Sequence, residues 1–98
     1  MFGVLVRFPE AGGPDREQAA KVAATVRSMF DGMPGLRTKA FTFDQEAGRA
    51  TNIYLWRSED EARAFFTDEL RDRVTELYGS TPTIEFVEIL ELVDNPAE

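Results

Sequence analysis

Three side chains able to bind and orient an aromatic molecule stand at alternate positions of one short segment, Asn-Ile-Tyr-Leu-Trp at residues 52–56. Alternate residues of a β-strand share a face, so Asn52, Tyr54 and Trp56 are predicted to project side by side. The amide can hydrogen-bond a ligand oxygen, the phenol can assist a proton transfer, and the indole can stack on an aromatic ring. Structural explanations stay open, because Tyr54 and Trp56 also suit a core and Asn52 could end the preceding loop. These three residues form the candidate catalytic set.

Three further residues are candidates for contacting a substrate. Arg7 stands in an otherwise apolar strand, where it either binds a ligand anion or, as we favour, pairs with a glutamate of the last strand. Phe66 and Tyr78 belong to the second helix, where they either line a substrate site or close the core. The glutamates of the last strand stand three apart and so do not share a strand face: Glu85, Glu88 and Glu91. That spacing gives poor support for a convergent carboxylate pair or a metal site.

The composition excludes several kinds of chemistry. The chain has no cysteine and no histidine, which removes disulfides, thiolate nucleophiles, imidazole catalysis and the usual zinc ligands. A net charge of −7 disfavours nucleic acid and anionic membrane surfaces as partners. No apolar run approaches the ~20 residues that span a bilayer, and no basic leader precedes Arg7. We therefore expect a cytoplasmic protein.

The hydrophobic pattern predicts a single domain over residues 1–98 with the order β-α-β-β-α-β, a ferredoxin-like α+β fold. A four-stranded antiparallel sheet would carry both helices on one face. The strand at 36–44 is expected at an edge, because the charges of Arg37 and Lys39 discourage further pairing there. The other strands are predicted at 2–8, 51–57 and 82–93.

Capping patterns predict where the two helices begin. Asp15 with Gln18 is a variant of the capping box and opens the first helix. Ser58 followed three residues later by glutamate places the start of the second helix at 59. The second helix is predicted to run to Tyr78, with a kink near Thr67 that could recap the chain.

The sheet is predicted to be apolar on both faces, although two helices can cover only one. Ile53 and Leu55 point away from the candidate catalytic set, as Val87 and Ile89 point away from their neighbours on the last strand. Monomers rarely expose such a face. We expect a second copy to lie sheet against sheet, clasped by a last strand about twice the usual ~5–6 residues. The alternative is a filled monomer core with a ragged tail.

The element order, the "PGL" after the first helix and the segment "IYLWRSEDEARAFF" resemble the dimeric α+β barrel proteins. Within that superfamily the chain is similar to the antibiotic-biosynthesis monooxygenases, and most of all to those of the YdhR type. The likeness extends over most of the chain. It implies a homodimer of ferredoxin-like subunits.

The resemblance also implies a cofactor-independent monooxygenase with no metal or flavin. Its substrate would be a small hydrophobic aromatic, a quinol or an anthrone, held between helices and sheet, deprotonated there and oxidised directly by O2. Relatives that oxidise quinols carry an asparagine and a tryptophan four apart on the third strand, as Asn52 and Trp56 are. Haem-degrading relatives have a histidine where this chain has Phe66, so haem cleavage is not expected. Two alternatives stay open: a non-catalytic dimer that binds a small ligand or serves as an interaction module, and a muconolactone-type isomerase.

Overall fold

The computed structural model describes residues 1–95, which form one four-stranded antiparallel sheet with helices on one face. The strands lie side by side in the order β2-β3-β1-β4. In chain order the elements are β1 (Phe2–Arg7), α1 (Arg16–Phe30), β2 (Leu36–Asp44), β3 (Arg49–Trp56), α2 (Glu59–Phe65), α3 (Asp68–Tyr78) and β4 (Thr83–Glu88). The ferredoxin-like arrangement predicted from the sequence is confirmed, with β2 at an edge of the sheet.

Side-chain caps fix the starts of α1, α2 and α3. The Asp15 carboxylate accepts the backbone N–H of Gln18 at 2.8 Å, and the Gln18 side chain accepts the backbone N–H of Asp15 at 3.1 Å. Ser58 and Thr67 each accept the backbone N–H three residues further on, at 3.2 Å. Caps of this kind stabilise a helix by ~1 kcal/mol. The predicted kink is a break between α2 and α3, because Thr67 starts a new helix.

The core lies between the helices and the two central strands. Its buried residues sit mainly at alternate positions of β1 and β3, as expected for strands covered on one side. They are Phe2, Val4, Val6, Phe8, Ala50, Asn52, Tyr54 and Trp56, joined by Ala62 of α2. Burying a side chain of the size of Val or Phe contributes ~1.5–3 kcal/mol. The core therefore depends on β1 and β3 rather than on the long helices.

The helices α1 and α3 stand partly away from the sheet. Neither contains a fully buried residue, although both carry apolar residues at helical spacing. Met29 on α1 is 61% exposed and Leu77 on α3 is 49% exposed. Space therefore remains between these helices and the strands beneath them. Among residues 1–95 no helix is long and apolar enough to cross a membrane.

The last strand is shorter than the sequence predicted. β4 spans Thr83–Glu88, six residues instead of twelve, and Ile89 adds one backbone hydrogen bond, from its N–H to the Met1 carbonyl at 3.3 Å. Beyond that point β1 offers no further partner, since β1 itself begins at Phe2. The following segment 90–93 leaves three large apolar side chains exposed: Leu90, Leu92 and Val93.

The sheet face away from the helices has an apolar centre, which we call the open face. It carries Leu5, Ile53, Leu55 and Val87, of which Ile53 is 43% exposed. A Cβ added at Gly3 would lie 2.9 Å from Val87 Cγ2, so the missing side chain lets Val87 lie across β1. No helix of the described chain covers this face.

Candidate functional site

A cavity of about 140 Å³, the central cavity, lies between α1, α3 and the helix-facing side of β2 and β3. Met29 and Leu77 are among its apolar lining residues, so their exposure belongs to an opening between the two helices. Polar groups are few in this wall, as is usual for ligand pockets. They are Lys39, Asn52, Tyr54, Arg73 and Tyr78.

A second cavity of about 230 Å³, the side cavity, lies beside the first, between the start of α1 and β2. Asn52 and Tyr78 line both cavities. Asn52 Nδ2 donates a hydrogen bond to the Tyr78 hydroxyl at 3.3 Å, so one polar pair borders both spaces. This pair joins a candidate catalytic residue with a candidate substrate-binding residue.

Asn52 and Tyr78 are held in place by packing. Asn52 is 4% exposed, and the Tyr78 ring stacks on Phe8 with centroids 4.2 Å apart. Burial raises the pKa of Tyr78, while the hydrogen bond from Asn52 opposes this rise. The hydroxyl is therefore a neutral phenol near pH 7. Amide and phenol together offer a ligand both donors and acceptors.

Tyr54 is the third candidate that reaches the central cavity. Burial, and secondly the nearby Tyr78, raise the pKa of its phenol well above the ordinary value. The Tyr54 hydroxyl therefore keeps its proton at neutral pH and acts as a hydrogen-bond donor rather than a base. Its ring is held edge-on by Phe66, with centroids 4.9 Å apart.

Trp56 and Phe66 line neither of these two cavities. Trp56 is 2% exposed, and its ring lies nearly parallel to that of Tyr54, with centroids 6.3 Å apart. Phe66 packs against both of these rings. Trp56 and Phe66 therefore pack against the Tyr54 ring, and of these three side chains only Tyr54 lines the central cavity.

Arg7 lies on the open face, away from the other candidates. Its Nη1 is 3.0 Å from Glu85 Oε1, so the favoured ion pair is confirmed. Both side chains remain about half exposed, and such pairs stabilise by ~0–1 kcal/mol. The structure thus brings Asn52, Tyr54 and Tyr78 together and separates Arg7 from them. Within residues 1–95 no three acidic side chains cluster as a metal site would require.

Lys39 is the cavity residue that the sequence analysis missed, because a lysine on an edge strand was interpreted only as a guard against pairing. Its Nζ lies over three aromatic rings, 3.5 Å from the centroid of Phe30, 4.2 Å from Phe41 and 4.4 Å from Tyr54. Burial lowers the pKa of Lys39 to about 7. One signal was present in the sequence: Lys39 alternates with Phe41 and Phe43, which face the helices.

The strand order of the sheet and the position of the helices define the fold of the chain. No protein-family model matches the chain, and no curated protein matches it. Solved structures that do match share the ferredoxin-like fold and include antibiotic biosynthesis monooxygenases. The chain therefore has the fold of that group, as the resemblance implied.

Particular neighbours make the likeness concrete. A Streptomyces coelicolor monooxygenase solved with nanaomycin D is 21% identical, with a TM-score of 0.69 over 97% of this chain and 92% of its own. SnoaB, a cofactor-independent oxygenase of Streptomyces nogalater, is 17% identical, with a TM-score of 0.66 over 96% and 97%. A candidate antibiotic biosynthesis monooxygenase of Deinococcus radiodurans is 11% identical, with a TM-score of 0.68 over 99% and 100%. At these identities the comparison shows a shared fold.

Proposed function

We propose that this chain is a cofactor-independent monooxygenase that oxidises a small hydrophobic aromatic, of the quinol or anthrone type, in the central cavity. The observation that carries the proposal is the set Asn52, Tyr54 and Tyr78 in a mostly apolar cavity. Neighbours with the same fold that are named as oxygenases support it, one of them solved with nanaomycin D and another described as cofactor-independent.

The reaction needs only the substrate and O2. For an anthrone-like substrate, a ring CH₂ becomes a carbonyl: one oxygen atom of O2 enters the ring, and the other leaves as water with the two hydrogens. Loss of a proton leaves an electron-rich anion, which passes one electron to O2, and the resulting radicals combine in a new C–O bond. The O–O bond then breaks as water leaves.

The protein's part is to bind, orient and shield the substrate. Asn52 and Tyr54 donate hydrogen bonds to the oxygen on which negative charge develops, and such donors are strongest where water is excluded. Trp56 and Phe66 act through Tyr54, whose ring they hold in place. They are positioning residues in this proposal.

The space suits a compact ligand. The central cavity of about 140 Å³ is below the ~300–1,000 Å³ typical of ligand sites. With the side cavity of about 230 Å³, the two together reach the lower part of that range. A substrate of two or three fused rings would therefore extend along the Asn52–Tyr78 pair into both spaces.

We also propose that the protein is a homodimer whose subunits meet through the open face. A partner sheet would cover Leu5, Ile53 and Val87, and exposed Leu90 and Val93 could reach a neighbouring subunit beyond the short β4. Burial of apolar area at ~25 cal/mol per Å² favours this association. The YdhR-type placement, the cytoplasmic location and the single domain over residues 1–98 remain predictions.

The decisive assay is oxygen uptake with a panel of reduced naphthoquinols and anthrones, using ¹⁸O₂ to show one labelled atom in the product. Asn52→Ala should lower kcat/KM by ~10–100-fold, since it removes one donor to the developing anion. Gln45→Ala, which truncates an exposed amide in the β2–β3 turn, is the matched control and should change nothing. Ligand binding without oxygen uptake would favour the non-catalytic alternative. Equal activity in both variants would remove Asn52 from the mechanism.

A further inference from the structure

Strand register places Lys39 inside the site. Lys39 is paired with Tyr54 across β2 and β3, so the two side chains share the helix-facing side of the sheet. Both line the central cavity together with Asn52 and Tyr78. A primary amine thus stands in the same cavity as the groups proposed to bind a phenolic oxygen.

The surroundings of Lys39 favour a cation, and no carboxylate of residues 1–95 pairs with it. Its Nζ contacts the faces of Phe30, Phe41 and Tyr54 at 3.5–4.4 Å, and ring faces attract an ammonium group. None of the four ion pairs among residues 1–95 includes Lys39. Because burial removes water without supplying a carboxylate, it lowers the pKa of Lys39 to about 7. The amine can therefore gain or lose a proton near neutral pH.

The charged groups that line the central cavity or the adjoining surface hollow with Lys39 are three arginines and one aspartate, and Arg37 is itself paired with Asp94. No aspartate or glutamate of residues 1–95 lines the central or the side cavity, although the chain has a net charge of −7. The titratable and charged groups that line the central cavity or the adjoining surface hollow with Lys39 are Arg27, Asp31, Arg37, Tyr54, Arg73 and Tyr78. The charged side chains that the described residues bring to the central cavity are Lys39 and Arg73, and a wall with basic groups suits an anionic ligand.

We propose that Lys39 is the proton acceptor for a phenolic or enolic substrate and that its ammonium form is then the counter-ion of the bound anion. The O–H bond of the substrate breaks, an N–H bond forms on Nζ, and the electron pair stays on the substrate oxygen. The product of the step is a phenolate–ammonium pair flanked by the hydrogen-bonding groups of Asn52 and Tyr54. The inference rests on the proposed function for the class of ligand, but the proton step itself needs no O2.

The first test follows the ionisation of a bound phenol and does not depend on turnover. 4-Nitrophenol is suitable because its anion absorbs at longer wavelength than the neutral form. With wild-type protein in excess at a pH below the ligand's own pKa, the bound ligand should have the phenolate spectrum. Lys39→Met keeps an unbranched chain as far as the ε position and removes the amine, so the bound ligand should be neutral. Lys21→Met is the matched control, since Lys21 is exposed on α1 and is the chain's only other lysine.

Each outcome of this titration decides the proposal. Phenolate in the wild type and Lys21→Met, but not in Lys39→Met, supports it. The same spectrum in all three proteins overturns it, and so does failure of the wild type to bind the phenol. Lys39→Arg separates a counter-ion from a base, because arginine keeps the charge but does not release its proton. It should keep ligand binding within ~3-fold and lose ~100-fold or more in kcat/KM, the scale of general-base catalysis.

A second measurement examines the amine directly. Reductive ¹³C-methylation labels only the two lysines and the N-terminus, so each methyl resonance can be followed by NMR against pH. The resonance absent from Lys39→Met should titrate near 7, well below the ~10.4 of an ordinary lysine. Titration of that resonance near 10.4 would overturn the proposal. Ionisation of the bound phenol without oxygen uptake from any quinol would reject the oxygenase function and leave the role of Lys39 standing.

Discussion

Replacement of Lys39 by methionine should stabilise the protein, and the gain should depend on pH in a defined way. The pKa of Lys39 is lowered from 10.5 to about 7 by burial. Between these values the unfolded chain holds a proton that the folded chain has lost, so raising the pH stabilises the wild type. The stabilisation of the wild type that comes from this proton difference is complete above about pH 10.5. It shrinks as the pH falls and is lost below about pH 7. Lys39→Met lacks this dependence.

The size of the effect follows from the shift. A fall from 10.5 to about 7 corresponds to about 4–5 kcal/mol, at ~1.4 kcal/mol per pKa unit. Between pH 6 and pH 10 the pH exceeds the lowered pKa of Lys39 over about three units. We therefore expect the stability advantage of Lys39→Met over the wild type to shrink by about 4 kcal/mol over this range.

Urea unfolding at several pH values measures this difference. The two proteins and the Lys21→Met control should be compared at one protein concentration, because association would change the apparent stability. Tyrosine titrations at high pH occur in every variant and cancel in the comparison. Lys21→Met should run parallel to the wild type. If the curve for Lys39→Met is also parallel within ~0.5 kcal/mol, Lys39 is not desolvated and the inference about its role loses its basis.

Three further predictions test the packing and the assembly. Ile53→Glu should convert the proposed dimer to a folded monomer in sedimentation experiments. Ala24→Glu on the exposed side of α1 is the control and should leave the protein dimeric. A monomeric wild type would contradict the open-face interface. Asn52→Ala and Tyr78→Phe should show a coupling energy of ~0.5–1.5 kcal/mol in a double-mutant cycle of urea unfolding, and additive effects would show that their hydrogen bond contributes nothing. Trp56→Ala should reduce the free energy of unfolding by ~3–5 kcal/mol, as expected for a buried aromatic, and a loss below ~1 kcal/mol would contradict its place in the core.

Local signals in the sequence were sufficient to predict most of the fold. The capping residues Asp15, Ser58 and Thr67 mark helix starts by hydrogen bonds made within four residues, so no tertiary information is needed. Alternation along β3 correctly placed Asn52 and Tyr54 on one face. The length of the last strand was wrong, because apolar composition does not reveal where the neighbouring strand stops offering backbone partners. A strand's length depends on its neighbour as well as on its own residues.

The candidate site was predicted less completely, because side chains on one strand face do not all reach the same cavity. Trp56 shares the face of Asn52, but the rings of Phe65 and Phe66 surround it and it lines neither cavity. Arg7 was correctly assigned to an ion pair. It alternates along β1 with the residues that face the helices, so it lies on the open face. The alternation of side chains along a strand predicts which face of the sheet each one lies on. The gap that α1 and α3 leave above the sheet determines which part of that face a ligand can reach.

Lys39 shows how edge position and ligand binding can coincide. A charge on an edge strand ordinarily points to water and discourages a further strand. In β2, Lys39 stands at an alternate position to Phe41 and Phe43 and therefore faces the helices as they do. Burying a lysine without a carboxylate partner reduces the stability of the folded protein. Such a loss of stability is kept at functional sites, where a ligand supplies the missing negative charge. The proposed anionic substrate would account both for the energetic cost at Lys39 and for the lack of acidic side chains, among residues 1–95, in the walls of the two cavities.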